Sequence, residues 1–236
     1  MFMDYLALDI ETTGLSPEKD RIIEIGAVKY RGDKEMEKFS CLIKICNPLP
    51  PKITELTGIT NGMLSGGWDE KTAVTEFLKF ARDTTVLLGH NISFDFSFIK
   101  VAALRYGLVF EREALDTLAF AKKLHPELKS RSLSALCAYY GIVQEHAHRA
   151  VDDAVCAHRL YLALRRKFPD YGEFVAQPLS YKPKKQEPMT ARQKKYLGDL
   201  LRHHGMEYTE ELDCLTKSDA SRMIDQLIFT KGRLQS

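Results

Sequence analysis

The chain has 236 residues, of which 44% are hydrophobic and 28% are charged, and a formal net charge of +2. These values are typical of a folded protein with one sizeable core and a small appendage. No apolar run approaches the ~18–20 residues of a membrane span, and the N-terminus lacks the basic region of a signal peptide. The five cysteines form no C-x-x-C pair. We therefore expect reduced thiols, a cytoplasmic location and no membrane partner.

The first three quarters of the chain predict strands followed by alternating helices and strands. Apolar runs and alternating patterns mark the strands, and amphipathic spacing marks the helices. This order indicates a mixed, layered α/β domain. The predicted strands are 5–10, 21–30, 37–45 and TVLLGHN; a short helix follows the prolines of NPLPPKITELTGIT, and further helices are 69–83, FDFSF to Gly107, 116–124, 132–140 and 149–167.

The C-terminal quarter differs in composition from the rest. QPLSYKPKKQEPM holds three prolines and three lysines without helical periodicity, which is typical of a linker. Thr190 with Gln193 forms a helix capping box, and Thr216 with Asp219 forms a close variant of one. The basic residues around the linker indicate either phosphate binding or a solvated surface. The predicted domains are a main domain at 1–176, a linker at 177–189 and a small helical module at 190–236.

The stretch LALDIETTGL places two acids one residue apart at the end of a predicted strand. In a strand, Asp9 and Glu11 project from the same face. Two like charges ~4 Å apart repel by about 4 kcal/mol at an effective dielectric near 20. A shared proton, a basic partner or a bound cation must offset this repulsion.

Two later stretches add acids that could join this pair. GHNISFDFSF places Asp95 at the start of a helix, where the helix dipole favours a carboxylate. HRAVDDAVCAHRL places His148 five residues before Asp153, which lies on the inward helical stripe that Asp152 does not share. Four carboxylates without cysteine suit two Mg²⁺ or Mn²⁺ ions, and a histidine can accept a proton from water at neutral pH.

The motifs DIETTGL, HNISFD and HRAVDD resemble, in order and type, the three exonuclease motifs of the histidine-containing (DEDDh) branch of the DEDD superfamily. ELTGIT and residues 115–142 are also similar to the proofreading exonucleases of bacterial DNA polymerase III. The resemblance covers roughly residues 4–168. It implies an α/β, ribonuclease H-like fold with a five-stranded mixed sheet and helices on both faces.

The resemblance also implies roles for individual residues. Asp9, Glu11 and Asp153 would ligate the metal that holds the attacking water, Asp9 would bridge to a second metal, and Asp95 would complete the cluster. His148 would be the general base. The terminal nucleotide would be bound by Thr12, Thr13 and Gly14, with Leu15 against its base; His90 and Asn91 would either contact substrate or, as we favour, support the loop that carries Asp95.

These features predict a metal-dependent 3′→5′ exonuclease that releases nucleoside 5′-monophosphates. DNA is a more plausible substrate than RNA, in repair or in proofreading in trans beside a DNA polymerase subunit. Two alternatives remain, namely RNA 3′-end trimming and a non-catalytic scaffold that binds nucleic acid or a polymerase. Among the other polar and aromatic residues, we expect Asp116 to cap a helix, Phe94, Phe96 and Phe98 to lie in the core, and His146 to lie in an exposed loop.

Overall fold

The computed structural model describes residues 4–145, 148–184, 187–208, 212 and 215–234. The chain divides into two compact units, Met1–Lys182 and Pro183–Ser236. The predicted loop position of His146 lies outside the described residues. Among the described helices, none combines the length and the apolarity that crossing a membrane requires.

The first unit is built on a mixed sheet with the strand order β3-β2-β1-β4-β5-β6. β1 pairs antiparallel with β2 and parallel with β4, so the pairing changes from antiparallel to parallel at β1. The described strands are β1 (Asp4–Thr12), β2 (Ile22–Arg31), β3 (Lys34–Leu42), β4 (Val86–Gly89), β5 (Glu113–Asp116) and β6 (Gln177–Pro178).

Helices cover both faces of this sheet, as the sequence predicts. Leu6 and Leu8 of β1 belong to one apolar cluster, whereas Tyr5 and Ala7 belong to a second cluster on the opposite face. This alternation follows from the two-residue period of a strand. The helices of the unit are α1 (Pro51–Thr57), α2 (Asn61–Ser65), α3 (Glu70–Phe80), α4 (Ile92–Arg105), α5 (Thr117–Leu124), α6 (Leu133–Tyr140) and α7 (Ala150–Lys167).

Two expectations about single side chains are confirmed. The Asp116 carboxylate accepts hydrogen bonds from the backbone of Leu118 and Ala119 and so caps α5. Phe96 and Phe98 are buried, and Phe94 packs against the same core cluster.

The sequence prediction is wrong about several parts of the sheet. The described sheet has six strands rather than five, because residues 177–178 of the predicted linker pair with β5. β3 begins and ends three residues before the predicted segment 37–45. β5 and α2 were not predicted. Elements of two to five residues are too short to establish a hydrophobic period, which explains these omissions.

The second unit contains the two predicted helices, α8 (Ala191–His203) and α9 (Lys217–Lys231). Both predicted capping boxes are present, with Thr190 and Thr216 each accepting a hydrogen bond from the backbone three residues later. The apolar faces of the two helices form one small core, whose buried members include Leu197, Leu200, Leu201, Met223 and Leu227.

Candidate active site

The strand β1 directs Asp9 and Glu11 toward the face of the sheet that α7 covers. Both residues have odd numbers, like Tyr5 and Ala7, whose apolar cluster includes residues of α7. On β2, Asp9 lies opposite Gly26 and Glu11 lies opposite Glu24. The pairing becomes irregular between Glu11 and Thr12, where the strand ends. Two acids are thus held on one face at the end of the central strand.

Asp95 reaches the same place from the neighbouring parallel strand. β4 runs parallel to β1, so α4, which follows β4, begins at the edge where β1 ends. The Ile10 N–H donates to Asp95 Oδ1 at 3.0 Å, which places this carboxylate between the two acids of β1 along the strand. Asp95 is buried with 4% of its surface exposed.

The N-terminus of α7 brings Asp153 and His148 to the acids of β1. A Cβ added to Gly26 would lie 2.1 Å from the backbone nitrogen of Val151, so only glycine allows α7 to approach the sheet this closely. Asp153 is buried, and its two oxygens accept hydrogen bonds from Gln144 Nε2 at 3.1 Å and from the His148 N–H at 2.9 Å. Asp152, the neighbour that the sequence did not favour, is half-buried.

His148 is exposed and has a left-handed backbone, with φ of 63°. This conformation is uncommon for a residue with a side chain. One donor atom from each of Glu11, His148 and Asp153 lies within 4.8 Å of the other two. The structure therefore brings the histidine beside two of the four carboxylates.

The electrostatics of the cluster match the repulsion expected from the sequence. Burial, followed by the charges of Asp95, Asp153 and Glu11, raises the pKa of Asp9 well above its ordinary value. Burial, followed by the charge of Asp153, raises the pKa of Glu11 to about 8. Burial also raises the pKa of Asp95 and of Asp153, although backbone hydrogen bonds oppose the shift at both. Four acids thus resist full ionisation unless a positive charge joins them.

The donor set fits hard divalent cations. The four carboxylates offer oxygen donors, which Mg²⁺ and Mn²⁺ prefer, and no thiolate contributes among the described residues near them. His148 could serve as an additional ligand or as a base, because its ring is within reach of the same two carboxylates.

The four residues predicted to bind the terminal nucleotide form a turn directly after Glu11. The Thr12 hydroxyl donates to the Gly14 carbonyl at 2.6 Å, and Thr13 exchanges hydrogen bonds with Arg21 across the turn. A Cβ on Gly14 would collide with Asp20 at 2.5 Å. Leu15 is 85% exposed, so a large apolar side chain faces solvent next to the acids.

Two contacts that the sequence did not indicate hold Pro17 and Glu18, which follow this turn in the chain. Arg105 of α4 donates to the Pro17 carbonyl at 3.1 Å and pairs with Glu70. The Tyr181 hydroxyl donates to Glu18 Oε1 at 2.6 Å. Tyr181 lies in the predicted linker, where its two flanking prolines and lysines gave no sign of a tertiary role.

His90 and Asn91 take part in contacts within the protein. The two ring nitrogens of His90 lie 2.9 Å from Thr117 Oγ1 and 2.8 Å from the Arg131 carbonyl. Asn91 has a left-handed backbone and its N–H donates to Asp116 at 2.9 Å. These contacts fix the turn between β4 and α4 that presents Asp95, which is the role we favoured from the sequence.

A buried ion pair joins β2 to the start of α7. Glu24 is only 1% exposed, and its Oε1 accepts from Arg149 Nη2 at 2.8 Å. Its Oε2 accepts from the Ala150 N–H at 3.1 Å. Glu24 lies within the predicted strand 21–30, but no local pattern in the sequence indicates its partner 125 residues away.

A mixed sheet of this order, covered by helices on both faces and carrying four carboxylates at the end of its central strand, defines a nuclease of the ribonuclease H-like fold. The exonuclease family model RNase_T matches residues 6–161, which is more than half of the chain. The chain belongs to this exonuclease family.

Curated proteins that are similar to this chain include PolC-type DNA polymerases III of bacteria. The chain is 40% identical over 151 residues to the PolC-type DNA polymerase III of Clostridium perfringens, covering 64% of this chain and 10% of that protein. It is 37% identical over 169 residues to that of Caldanaerobacter subterraneus subsp. tengcongensis, covering 72% of this chain and 12% of that protein. The chain thus spans only a small part of the length of these relatives.

Solved structures share the fold at lower identity. Exonuclease X in complex with 5′ overhanging duplex DNA has a TM-score of 0.54 at 22% identity, over 70% of this chain and 92% of that chain. E. coli exonuclease I in complex with a dT13 oligonucleotide has a TM-score of 0.63 at 20% identity, over 71% of this chain and 42% of that chain.

Proposed function

We propose that the chain is a metal-dependent 3′→5′ exonuclease that releases nucleoside 5′-monophosphates, acting on DNA in proofreading or repair. The observation that carries this proposal is the meeting of Asp9, Glu11, Asp95 and Asp153 at one edge of the sheet, with His148 beside them. The PolC-type relatives, at 37% and 40% identity, favour DNA over RNA.

The four carboxylates would hold two divalent cations, Mg²⁺ or Mn²⁺. When bound, such ions neutralise negative charge and stabilise the attacking and leaving oxygens of a displacement at phosphorus. His148 accepts the proton of the attacking water through its imidazole, the side chain that most often serves as a general base in enzymes. Asp153 orients that histidine by accepting its backbone N–H.

The turn of Thr12, Thr13, Gly14 and Leu15 would receive the terminal nucleotide. Leu15 offers an exposed apolar surface against which a base can pack, and it lies four residues after Glu11. Because this turn sits at the end of β1, a nucleotide held there has its phosphodiester close to the acids. We assign the 3′ end on the basis of the resemblance to the DEDDh exonucleases.

The direction and the substrate are tested by digestion of matched single-stranded DNA, duplex DNA and RNA that carry a label at either the 5′ or the 3′ end. We expect a ladder that shortens from the 3′ end, release of 5′-mononucleotides, dependence on Mg²⁺ or Mn²⁺, and faster digestion of DNA. Faster digestion of RNA would instead support 3′-end trimming. Nucleic-acid binding without any metal-dependent hydrolysis would support the scaffold alternative.

The role of His148 is tested by His148→Ala. A general base contributes about 10²–10⁴-fold, so we expect turnover to fall by that factor while stabilisation by added metal is largely kept. His203→Ala, which removes an exposed histidine from the second unit, is the control and should not change turnover. Near-normal turnover of His148→Ala at pH 7 would exclude His148 as the base.

A further inference from the structure

Glu24 lies among the acids of the site and yet makes contacts unlike theirs. It is the cross-strand partner of Glu11, and directly opposite side chains on antiparallel strands lie on the same face. Glu24 forms an ion pair with Arg149, whose guanidinium donates to both carboxylate oxygens of Glu24. With the Ala150 N–H also donating to Oε2, these oxygens are directed at α7 rather than at a cation.

The residues that Glu24 holds flank the proposed base on its C-terminal side. Arg149 and Ala150 follow His148 directly, and Arg149 is the N-cap position of α7. No side-chain hydrogen bond from Arg149 itself caps the helix, so Glu24 supplies the acceptor for the Ala150 N–H from the neighbouring strand. Gly26, two residues further along β2, lets the same turn of helix lie directly on the sheet.

This contact constrains where the imidazole can lie. The backbone of His148 has a φ of 63°, which a non-glycine residue adopts only when its surroundings hold it. On one side of the ring-bearing residue the Asp153 carboxylate accepts the His148 N–H. On the other side Glu24 holds the next two residues. The chain is therefore held on both sides of an exposed catalytic candidate.

We propose that Glu24 is a positioning residue, which together with Arg149 fixes the start of α7 so that the His148 imidazole stays directed at the attacking water. This inference deepens the proposed function and rests on His148 being the base. It assigns Glu24 no part in metal binding and no direct contact with substrate.

The test is a double-mutant cycle of Glu24→Gln and His148→Ala, with a nucleotide aryl ester as substrate. This substrate has no further phosphates, so a contact between Arg149 and a longer nucleic-acid strand cannot affect the measured rate. Glutamine keeps an oxygen for the Ala150 N–H but loses the charge that holds Arg149. Misplacement of a catalytic group by about 1 Å can cost up to about 100-fold, and we expect a fall in kcat of about tenfold with little change in KM.

In the His148→Ala background the same Glu24→Gln change should have almost no effect on kcat, because the group that it positions is gone. Arg149→Gln, which breaks the pair from the partly exposed side, should reproduce both kcat results and serves if Glu24→Gln does not fold. The charges of Glu24 and Arg149 act on Glu11 in opposite directions, so the two variants should not both weaken the apparent affinity for Mn²⁺, measured by its effect on melting temperature.

The matched control is Tyr5→Phe. The Tyr5 hydroxyl lies 2.8 Å from Nδ1 of His158, so this change removes another buried contact between the same sheet and α7, away from the N-terminus of the helix. It should lower the melting temperature without changing kcat in either background.

A fall in kcat by the same factor with and without His148 would overturn the inference, since Glu24 would then act on stability or on the acids. A weaker apparent affinity for Mn²⁺ in both Glu24→Gln and Arg149→Gln would also overturn it, because opposite changes of charge would then have the same effect and the pair would belong to the metal site. If His148→Ala alone leaves turnover unchanged, the assignment of the base in the proposed function fails. That outcome is distinguishable from failure of the present inference, in which His148→Ala lowers kcat but Glu24→Gln lowers it further by the same factor as in the wild type.

Discussion

At the scale of single residues, Asp9 shows the conflict between charge and burial that the site contains. It is surrounded by Asp95, Asp153 and Glu11, and its pKa is raised well above the ordinary value, chiefly by burial. A residue in this position destabilises the metal-free fold when ionised, but it becomes favourable when a cation is present. Function and stability therefore place opposite demands on this side chain.

We expect Asp9→Asn to abolish hydrolysis in any divalent metal and to raise the melting temperature in EDTA at pH 8. At pH 5 the gain should be smaller, because the raised pKa of Asp9 means that a lower pH favours the neutral carboxyl, which resembles the amide in charge. Thermal melting of the two proteins at both pH values is the measurement. A lower melting temperature of the variant at pH 8 would show that Asp9 has a stabilising partner in the fold.

At the scale of elements, the docking of α7 on β2 determines where Asp153 and His148 lie. Gly26 permits this approach, since an added Cβ would lie 2.1 Å and 2.2 Å from backbone atoms of Val151 and Ala150. Backbone atoms cannot give way as the end of a flexible side chain can. The helix itself must move if the glycine is replaced.

We expect Gly26→Ala to destabilise the protein by about 1–3 kcal/mol, which is the usual range for overpacking. It should also reduce turnover on the nucleotide ester more than tenfold, because misplacement of a catalytic group by about 1 Å can cost about 100-fold. Gly62→Ala in α2 is the control, because its Cβ would meet only Thr60 Oγ1 at 3.8 Å. Chemical denaturation and single-turnover kinetics measure the two effects. Normal turnover of folded Gly26→Ala would show that α7 tolerates displacement.

A second element, the segment 177–182, connects the end of the first unit to the loop that follows β1. β6 extends the sheet at β5, Leu179 and Tyr181 pack against the apolar core, and Tyr181 holds Glu18. The composition of this segment is typical of a linker. Its hydrogen bonds, however, are those of an edge strand of the sheet and of a tertiary contact to Glu18.

We therefore expect two truncations to differ. Removal of 183–236 should leave hydrolysis of the nucleotide ester nearly unchanged, because the five catalytic candidates and the segment 177–182 remain. Removal of 177–236 should raise KM, because the turn after β1 loses the contact to Glu18, and should lower the melting temperature. Equal KM values for the two truncated proteins would mean that Tyr181 does not support the turn after β1.

At the scale of the whole molecule, the acid cluster sets how stability depends on pH. The pKa of Glu11 rises from 4.5 to about 8 in the folded protein, so its favourable contribution is complete below pH 4.5 and is lost as the pH rises through 8. Burial lowers the pKa of His158 to about 4, so that residue contributes stability above its ordinary value of 6.5, which is lost as the pH falls toward 4.

Above pH 6.5 the Glu11 contribution dominates, because His158 is then mostly neutral in both the folded and the unfolded state. We expect the melting temperature in EDTA to fall between pH 6.5 and about 8. At higher pH the titration of Glu11 should change it little. Added Mg²⁺ or Mn²⁺ should stabilise the protein increasingly over the same interval, because cations compete with protons for the carboxylates. A metal-free melting temperature that rises from pH 6.5 to 8 would contradict the raised pKa values.

The sequence by itself determined the parts of the site that short local patterns encode. Asp9 and Glu11 follow from the two-residue period of a strand, and Asp95 and Asp153 follow from helix starts, so each position needs only its near neighbours. The capping boxes at Thr190 and Thr216 are local in the same way. The fold class also followed, because long apolar strands and helices alternate with a clear period.

Only the tertiary structure decided which distant segments support these residues. Glu24 and Arg149 are 125 positions apart, and Tyr181 and Glu18 are 163 apart, so no local period links them. β5 and β6 have four and two residues, and such short strands form because neighbouring strands complete their hydrogen bonds. The sequence thus encodes the chemical groups, whereas close packing of α7 and the segment 177–182 on the sheet determines how firmly those groups are held.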